Sequence, residues 1–161
     1  MSRQSAGLLM YRLGDKGLEV FLVHPGGPYW AARDEGAWSI PKGEYTENED
    51  PLEAARREFF EETGFRAKGV FKPLSTIRQP GGKWVSAWAF AGDCDPASIR
   101  SNTFPMEWPP RSGRKREFPE IDRAAWFGID EAARKLNKGQ IGFLEELKEI
   151  LANNNIISFE G

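Results

Sequence analysis

Cysteine and histidine are almost missing from this 161-residue chain, with Cys94 and His24 the sole examples of each. A single thiol excludes an intrachain disulfide and a cysteine-rich zinc site. A single imidazole gives no support to a histidine-dominated mechanism. Long hydrophobic runs are absent as well. None approaches the roughly 18 residues of a membrane span, and no basic segment followed by an apolar stretch opens the chain. A cytoplasmic protein without a membrane partner is expected. Net charge is the third shortage: 24 acidic against 22 basic residues leave a formal balance of -2. The simplest argument for non-specific nucleic-acid binding is thereby removed. What remains is 40% hydrophobic and 29% charged, the composition of a packed domain, and a single domain over 1–161 is expected.

The small net charge conceals segregation. Eight of the acids fall between Glu44 and Glu62, while Arg111, Arg114, Lys115 and Arg116 form a separate basic cluster. Ser5–Arg12 and Leu18–Pro25 read as strands around the Gly14-Asp15-Lys16-Gly17 turn, the second apolar on both faces. Asp50 as N-cap, Pro51 at the first helical position and Glu53 in a capping box predict a helix over Pro51–Thr63. Leu52, Ala55 and Phe59 form its apolar stripe, and Gly64 stops it. Val70–Arg78 and Lys83–Ala91 read as strands around Gln79-Pro80-Gly81-Gly82. Trp84, Trp88 and Phe90 suit a sheet face packed against a helix. Pro96, Pro105, Pro109 and Pro110 break regularity, so 93–116 reads as an irregular insertion loop. Phe118–Phe127 returns to the sheet, and Asp130–Leu136 and Gln140–Leu151 read as helices.

The chemistry concentrates on the first helix. Glu58 and Glu62 are four residues apart and Glu58 and Glu61 three, so their carboxylates emerge from one side. Such a cluster repels itself unless a cation compensates it. Hard oxygen ligands suit Mg²⁺, with Mn²⁺ as the alternative, and both cations favour phosphate substrates.

The wider pattern is Gly43, five residues, Glu49, seven residues, Arg57-Glu58-Phe59, then Glu61-Glu62 and Gly64-Phe65. It resembles the complete box of the Nudix hydrolase family. The resemblance implies an α/β fold, an α/β/α sandwich with a mixed central sheet, the box helix on one side and the C-terminal helix on the other. It implies hydrolysis of a phosphoanhydride bond in a nucleotide or other polyphosphate small molecule. Glu58, Glu61 and Glu62 become metal ligands, Arg57 orients them by ion pairing, and Glu49 supports the loop–helix arrangement. Lys42 would give its backbone carbonyl to the metal, and Gly43 would permit close chain approach. The carboxylate that positions or deprotonates water is Glu58, Glu61 or an acid outside the box. Glu120 is the first outside candidate, ahead of Glu117 and Asp122; its spacing before Trp126-Phe127 resembles that of the extra acidic metal ligand in some relatives, and its competing reading is a surface acid.

Substrate preference is drawn from weaker signals. Trp38-Ser39-Ile40-Pro41-Lys42-Gly43 resembles the lead-in to the box in diadenosine and diphosphoinositol polyphosphate hydrolases. His24-Pro25-Gly26-Gly27-Pro28, followed by Trp30, resembles a bacterial subgroup of nucleotide pyrophosphohydrolases. A dinucleoside polyphosphate is the first expectation. Nucleoside triphosphate, nucleotide sugar, diphosphoinositol and RNA 5′ end follow, with a non-catalytic nucleotide-binding module as the alternative class. Lys42, Arg78, Lys83, Arg111, Arg114, Lys115 and Arg116 are available to phosphates, against the plainer reading of a solvated rim. Tyr29, Trp30 and Trp84 are available for base stacking, against sheet packing for Trp84. His24 reads as a polar strand-end residue before it reads as a base. A monomer is expected, a dimer being the alternative.

Overall fold

Alternation along the first two strands decides the architecture. The computed structural model describes residues 4–79 and 82–154. In β1 (Gln4–Gly14), Leu8 and Met10 are buried in one apolar cluster and Leu9 and Tyr11 in another. In β2 (Gly17–Pro25), Phe21 and Val23 join the first cluster while Val20 and Leu22 join the second. Strands buried on both faces require a covering layer on each side. The box helix α1 (Pro51–Thr63) covers one face through Ala54, Ala55 and Phe59. The other is covered by α2 (Ile129–Lys135) and α3 (Ile141–Asn153), through Ala132, Phe143, Leu144, Leu147 and Leu151. The expected sandwich is present.

The sheet is mixed. β1 lies at its centre, antiparallel to β2 and to β3 (Lys42–Glu44) and parallel to β6 (Trp84–Ala91). β4 (Lys72–Pro73) and β5 (Ile77–Arg78) both pair with β6, and β9 (Ile121–Gly128) pairs with β2. Among the described residues no helix is long and apolar enough to cross a membrane.

Three sequence expectations need correction. Val70–Arg78 is not one strand but the two short pieces β4 and β5, because the Ser75 amide turns away to the Glu146 carboxylate of α3 at 2.9 Å. Pro80 and Gly81 of the expected turn lie outside the described residues. The segment 93–116 is not irregular throughout. A 3₁₀ turn at Pro96–Ser98 leads to β7 (Thr103–Glu107), which pairs with β8 (Lys115–Pro119) in a separate two-stranded hairpin. A two-stranded ribbon consists of edge strands only, where proline is tolerated, so Pro105 did not forbid it. Phe118 accordingly belongs to this hairpin, and the main sheet resumes only at Ile121.

Candidate active site

The capping signals place α1 as expected, and the helix then places the acids. The Asp50 side chain accepts from the Glu53 amide at 3.1 Å, and Gly64 adopts φ 81° while its amide closes on Phe60. Only half of the capping box forms, since the Glu53 carboxylate pairs with Arg56 at 3.4 Å. Buried Phe59 and Thr63 hold the helix against the sheet, and Thr63 Oγ1 donates to the Phe59 carbonyl at 2.7 Å. The opposite side carries Arg57, Glu58, Glu61 and Glu62.

Arg57 is the hub of this side. Its Nε and Nη2 reach both oxygens of Glu49 at 3.1 and 3.3 Å. Its Nη1 reaches Glu58 at 2.9 Å and Glu61 at 3.2 Å. A planar fork engaged on three carboxylates fixes their orientation as a point charge would not. Glu49 also accepts from the Thr46 amide at 3.4 Å, tying the preceding loop to the helix.

Glu62 faces the other way. Its Oε1 accepts from the Lys42 amide at 3.1 Å, and burial pushes its carboxyl up to about 8 despite that bond. Burial followed by Glu61 raises Glu58, and burial followed by Glu61 raises Glu120. Each carboxyl is taken from water toward others of its own charge, so ionisation is disfavoured. A Cβ at Gly43 would lie 2.1 Å from the Glu58 carboxylate, which explains why the loop carries glycine there. Lys42 is half-buried, and burial together with Lys83 lowers its ammonium.

Glu120 reaches the cluster from the far end of the sequence. Its amide donates to the Asn102 carbonyl at 2.8 Å, and the Asn102 amide donates to the Glu61 carbonyl at 2.8 Å. These two bonds seat the root of the β7–β8 hairpin on the end of α1. The Glu120 carbonyl accepts from Gly26 at 2.8 Å, bringing the 26–36 loop to the same edge. Glu117 and Asp122 go elsewhere. Glu117 is exposed on the hairpin opposite Pro105, and Asp122 accepts at 2.8 Å from His24 Nδ1.

His24 is the penultimate residue of β2, as a polar strand-end residue should be, and it is fully buried. Its Nε2 lies 2.6 Å from the Arg33 carbonyl, so the imidazole clamps the 26–36 loop to β9. In that loop the Arg33 guanidinium lies over the rings of Tyr29 and Trp30, at 4.4 and 5.4 Å. On the opposite rim, Lys83 pairs with Glu44 at 3.6 Å and Arg78 lies over the exposed ring of Trp84 at 5.8 Å. Trp84 is therefore not sheet packing, whereas Phe90 is, against Phe59. Arg111, Arg114, Lys115 and Arg116 are all exposed, on the hairpin and its tip. Cys94 is partly buried, and burial followed by Asp93 pushes its thiol up to about 11.

As the side chains stand, no three His, Cys, Asp or Glu groups among the described residues converge on one point that could hold an ion. The reason is visible: Arg57 occupies Glu58 and Glu61, and the Lys42 amide occupies Glu62. The donor set nevertheless fits a hard divalent cation. Its oxygens are of the right kind, and one guanidinium offsets only part of the charge of these carboxylates.

Sequence reasoning overlooked Asn102, Arg33 and Gln140. Gln140 is fully buried at the start of α3, and its Oε1 accepts from the Ile40 amide at 3.0 Å. This holds the segment that runs into Pro41-Lys42-Gly43. A glutamine at a helix start is an ordinary surface signal, and nothing local distinguishes this one.

The family model for the NUDIX domain matches residues 1–147. A curated relative named RNA pyrophosphohydrolase from Bartonella henselae is 32% identical over 111 residues, covering 58% of this chain and 57% of that protein. A second, from Bartonella clarridgeiae, is 28% identical over 112 residues, covering 58% of each. The chain thus spans less than two thirds of the length of these relatives. The fold is similar to a Caenorhabditis elegans Ap4A hydrolase binary complex, with TM-score 0.65 and 20% identity over 92% of this chain and 98% of that one. It is also similar to the NUDIX domain of Shewanella oneidensis NrtR complexed with ADP ribose, with TM-score 0.65 and 15% identity over 94% and 89%.

Proposed function

The chain belongs to the Nudix family, and from that premise we propose that it is a pyrophosphohydrolase dependent on Mg²⁺, with Mn²⁺ as a substitute. The observation that carries the reading is the Asn102 bridge, whose two backbone bonds at 2.8 Å tie Glu120 to the end of the helix that bears Glu58, Glu61 and Glu62. An acidic cluster on a surface helix would not recruit a fourth member from another element.

Glu58, Glu61, Glu62 and Glu120 would hold the cation. When bound, a divalent cation screens phosphate charge and makes water a stronger acid. The protein's own groups do the remaining work. Arg57 releases and orients Glu58 and Glu61 without losing Glu49, its anchor on the loop. The Lys42 amide holds Glu62, and the ammonium groups of Lys42 and Lys83 meet the phosphate chain. Glu120 accepts the proton from the attacking water, with Glu58 and Glu61 as the alternatives within the box. The product is two phosphate-terminated fragments, one carrying the oxygen of water.

The substrate is a nucleotide with a 5′-linked phosphoanhydride chain. Dinucleoside polyphosphates follow from the lead-in to the box and accord with the Ap4A hydrolase fold similarity. RNA 5′ ends are the second reading, supported by the names of the curated relatives and by the basic hairpin. The test is a panel with Mg²⁺ or Mn²⁺: diadenosine tetraphosphate, nucleoside triphosphates, nucleotide sugars, diphosphoinositols and 5′-triphosphorylated RNA. Product masses from H₂¹⁸O identify the attacked phosphorus. Tight binding with no product across the panel would replace the enzyme by a nucleotide-binding module.

A further inference from the structure

The β7–β8 hairpin stands outside the sandwich and pairs with no other sheet. It begins beside the acids, at Asn102 and Glu120, and leads away from them. Strands of five residues rise roughly 3.3 Å per residue, so the arm is about 17 Å long. The turn at its tip is closed by the Trp108 amide donating to the Arg114 carbonyl at 2.9 Å. Arg111, Arg114, Lys115 and Arg116 occupy the tip and the adjoining strand, all exposed. Among the described residues none of these four side chains is in an ion pair. Glu107 and Glu117 offset part of the charge and share a face with Lys115, leaving a net basic arm.

The other face is apolar. Register places Phe104, Phe118, Met106 and Arg116 together, with the two phenylalanine rings 6.1 Å apart and the Arg116 guanidinium 5.6 Å above Phe118. Phe104 packs against Gly27, in the loop that carries Tyr29 and Trp30. The half-buried rings thus seat the ribbon on that loop, while the exposed cations along it and at its tip suit the phosphates of a polynucleotide. The arm's length selects among nucleotides. A mononucleotide or a dinucleoside polyphosphate carries all its charge in the phosphate chain next to the acids. Only a polynucleotide carries phosphates at regular steps away from that chain.

We propose that the β7–β8 hairpin is an RNA-binding arm that holds the ribose-phosphate chain of a single strand whose 5′-polyphosphate lies at Lys42 and Lys83, beside the acids of α1. The inference rests on the pyrophosphohydrolase reading for the position of the 5′ end, and binding tests the arm without turnover. The experiment compares 5′-triphosphorylated RNA of two and ten nucleotides by fluorescence anisotropy and by kcat/KM across a salt series. It uses the full chain and a variant carrying Arg111→Asn, Arg114→Ser, Lys115→Ser and Arg116→Ser. Asparagine tolerates the left-handed backbone of Arg111 at φ 64°, and circular dichroism verifies folding. Four cations on a single strand give a slope of log K against log salt of about −2.8 for the ten-mer. We expect the ten-mer to be bound at least tenfold more tightly than the two-mer, and the variant to lose both that ratio and most of the slope. A length-independent affinity, a ratio that survives in the variant, or equal binding of a blunt duplex would overturn the arm. Length-dependent binding with no product from any member of the substrate panel would support the arm and overturn the hydrolase.

Discussion

Replacing Gly43 by alanine separates the chemistry of this protein from its fold. The added Cβ would stand 2.1 Å from both Cδ and Oε2 of Glu58, where ordinary contact begins at 3.4 Å. The carboxylate must therefore retreat by about 1.3 Å. It is the far end of a flexible side chain, so the retreat costs the fold little, but it pulls Glu58 from its bond to Arg57 and its place in the cluster. A misplacement of about 1 Å at reacting groups costs on the order of 100-fold in rate, or about 2.7 kcal/mol of barrier. Gly43→Ala should accordingly melt within about 3 °C of the parent while kcat/KM for the best panel substrate falls about 100-fold. Gly26→Ala supplies the contrast: its Cβ would meet the Pro119 carbonyl oxygen at 2.0 Å, a backbone atom with nowhere to go. That variant should lose stability first. Full activity in Gly43→Ala, or a melting loss equal to that of Gly26→Ala, would refute the reasoning.

Other expectations follow from the same geometry. Glu62→Gln should abolish most metal-dependent turnover with the fold intact, and unchanged turnover at saturating Mg²⁺ would remove Glu62 from the ligand set; Glu120→Gln tests the outside acid in the same way. Arg57→Lys keeps the charge but not the fork on Glu49, Glu58 and Glu61, so kcat should fall about 10- to 100-fold with KM little changed. Equal activity would reduce Arg57 to surface charge. Gln140→Met leaves the buried Ile40 amide without its acceptor, at about 1–3 kcal/mol, read as a lower denaturant midpoint at constant m-value. Asp34 is held below the ordinary carboxylate range by Lys135 and then Trp38. A depressed value means stability present above about pH 3.9 and lost as pH falls toward the folded value. Asp34→Asn should flatten that acid limb, lowering the neutral-pH melting point by no more than about 3 °C because the pair is solvent-screened. An unchanged limb would show that the pair contributes nothing.

What the sequence disclosed was whatever is encoded locally or by spacing. The α1 boundaries follow from Asp50, Pro51 and Gly64, and the two-sided burial of β2 follows from an uninterrupted apolar run. The carboxylates at 58, 61 and 62 follow from helical period. Hidden were the contacts made across the chain. Ser75 leaves its strand for Glu146, a choice made by α3 and invisible in the strand's own residues. His24 reads as a strand end until Asp122 and the Arg33 carbonyl close on it. The hairpin was obscured by its prolines, whose missing amides matter less where strands have open edges. Glu120 stood between these cases: the family resemblance suggested it, and the Asn102 bridge that ties it to the end of α1 is invisible in its own residues.

The central place of β1 has a consequence for how the chain reaches its native state. Its neighbour β2 is one turn away, but its parallel partner β6 begins only at Trp84, so that pairing requires closure of a long loop. Loop closure of this kind slows folding, and non-local parallel pairing is among its slower steps. Until β6 arrives, a β1–β2 ribbon would show water two apolar faces and a free edge. Such an intermediate is aggregation-prone at ordinary concentrations. Expression yield and refolding speed should therefore respond to changes in β6 more sharply than to changes at the acids of the proposed site.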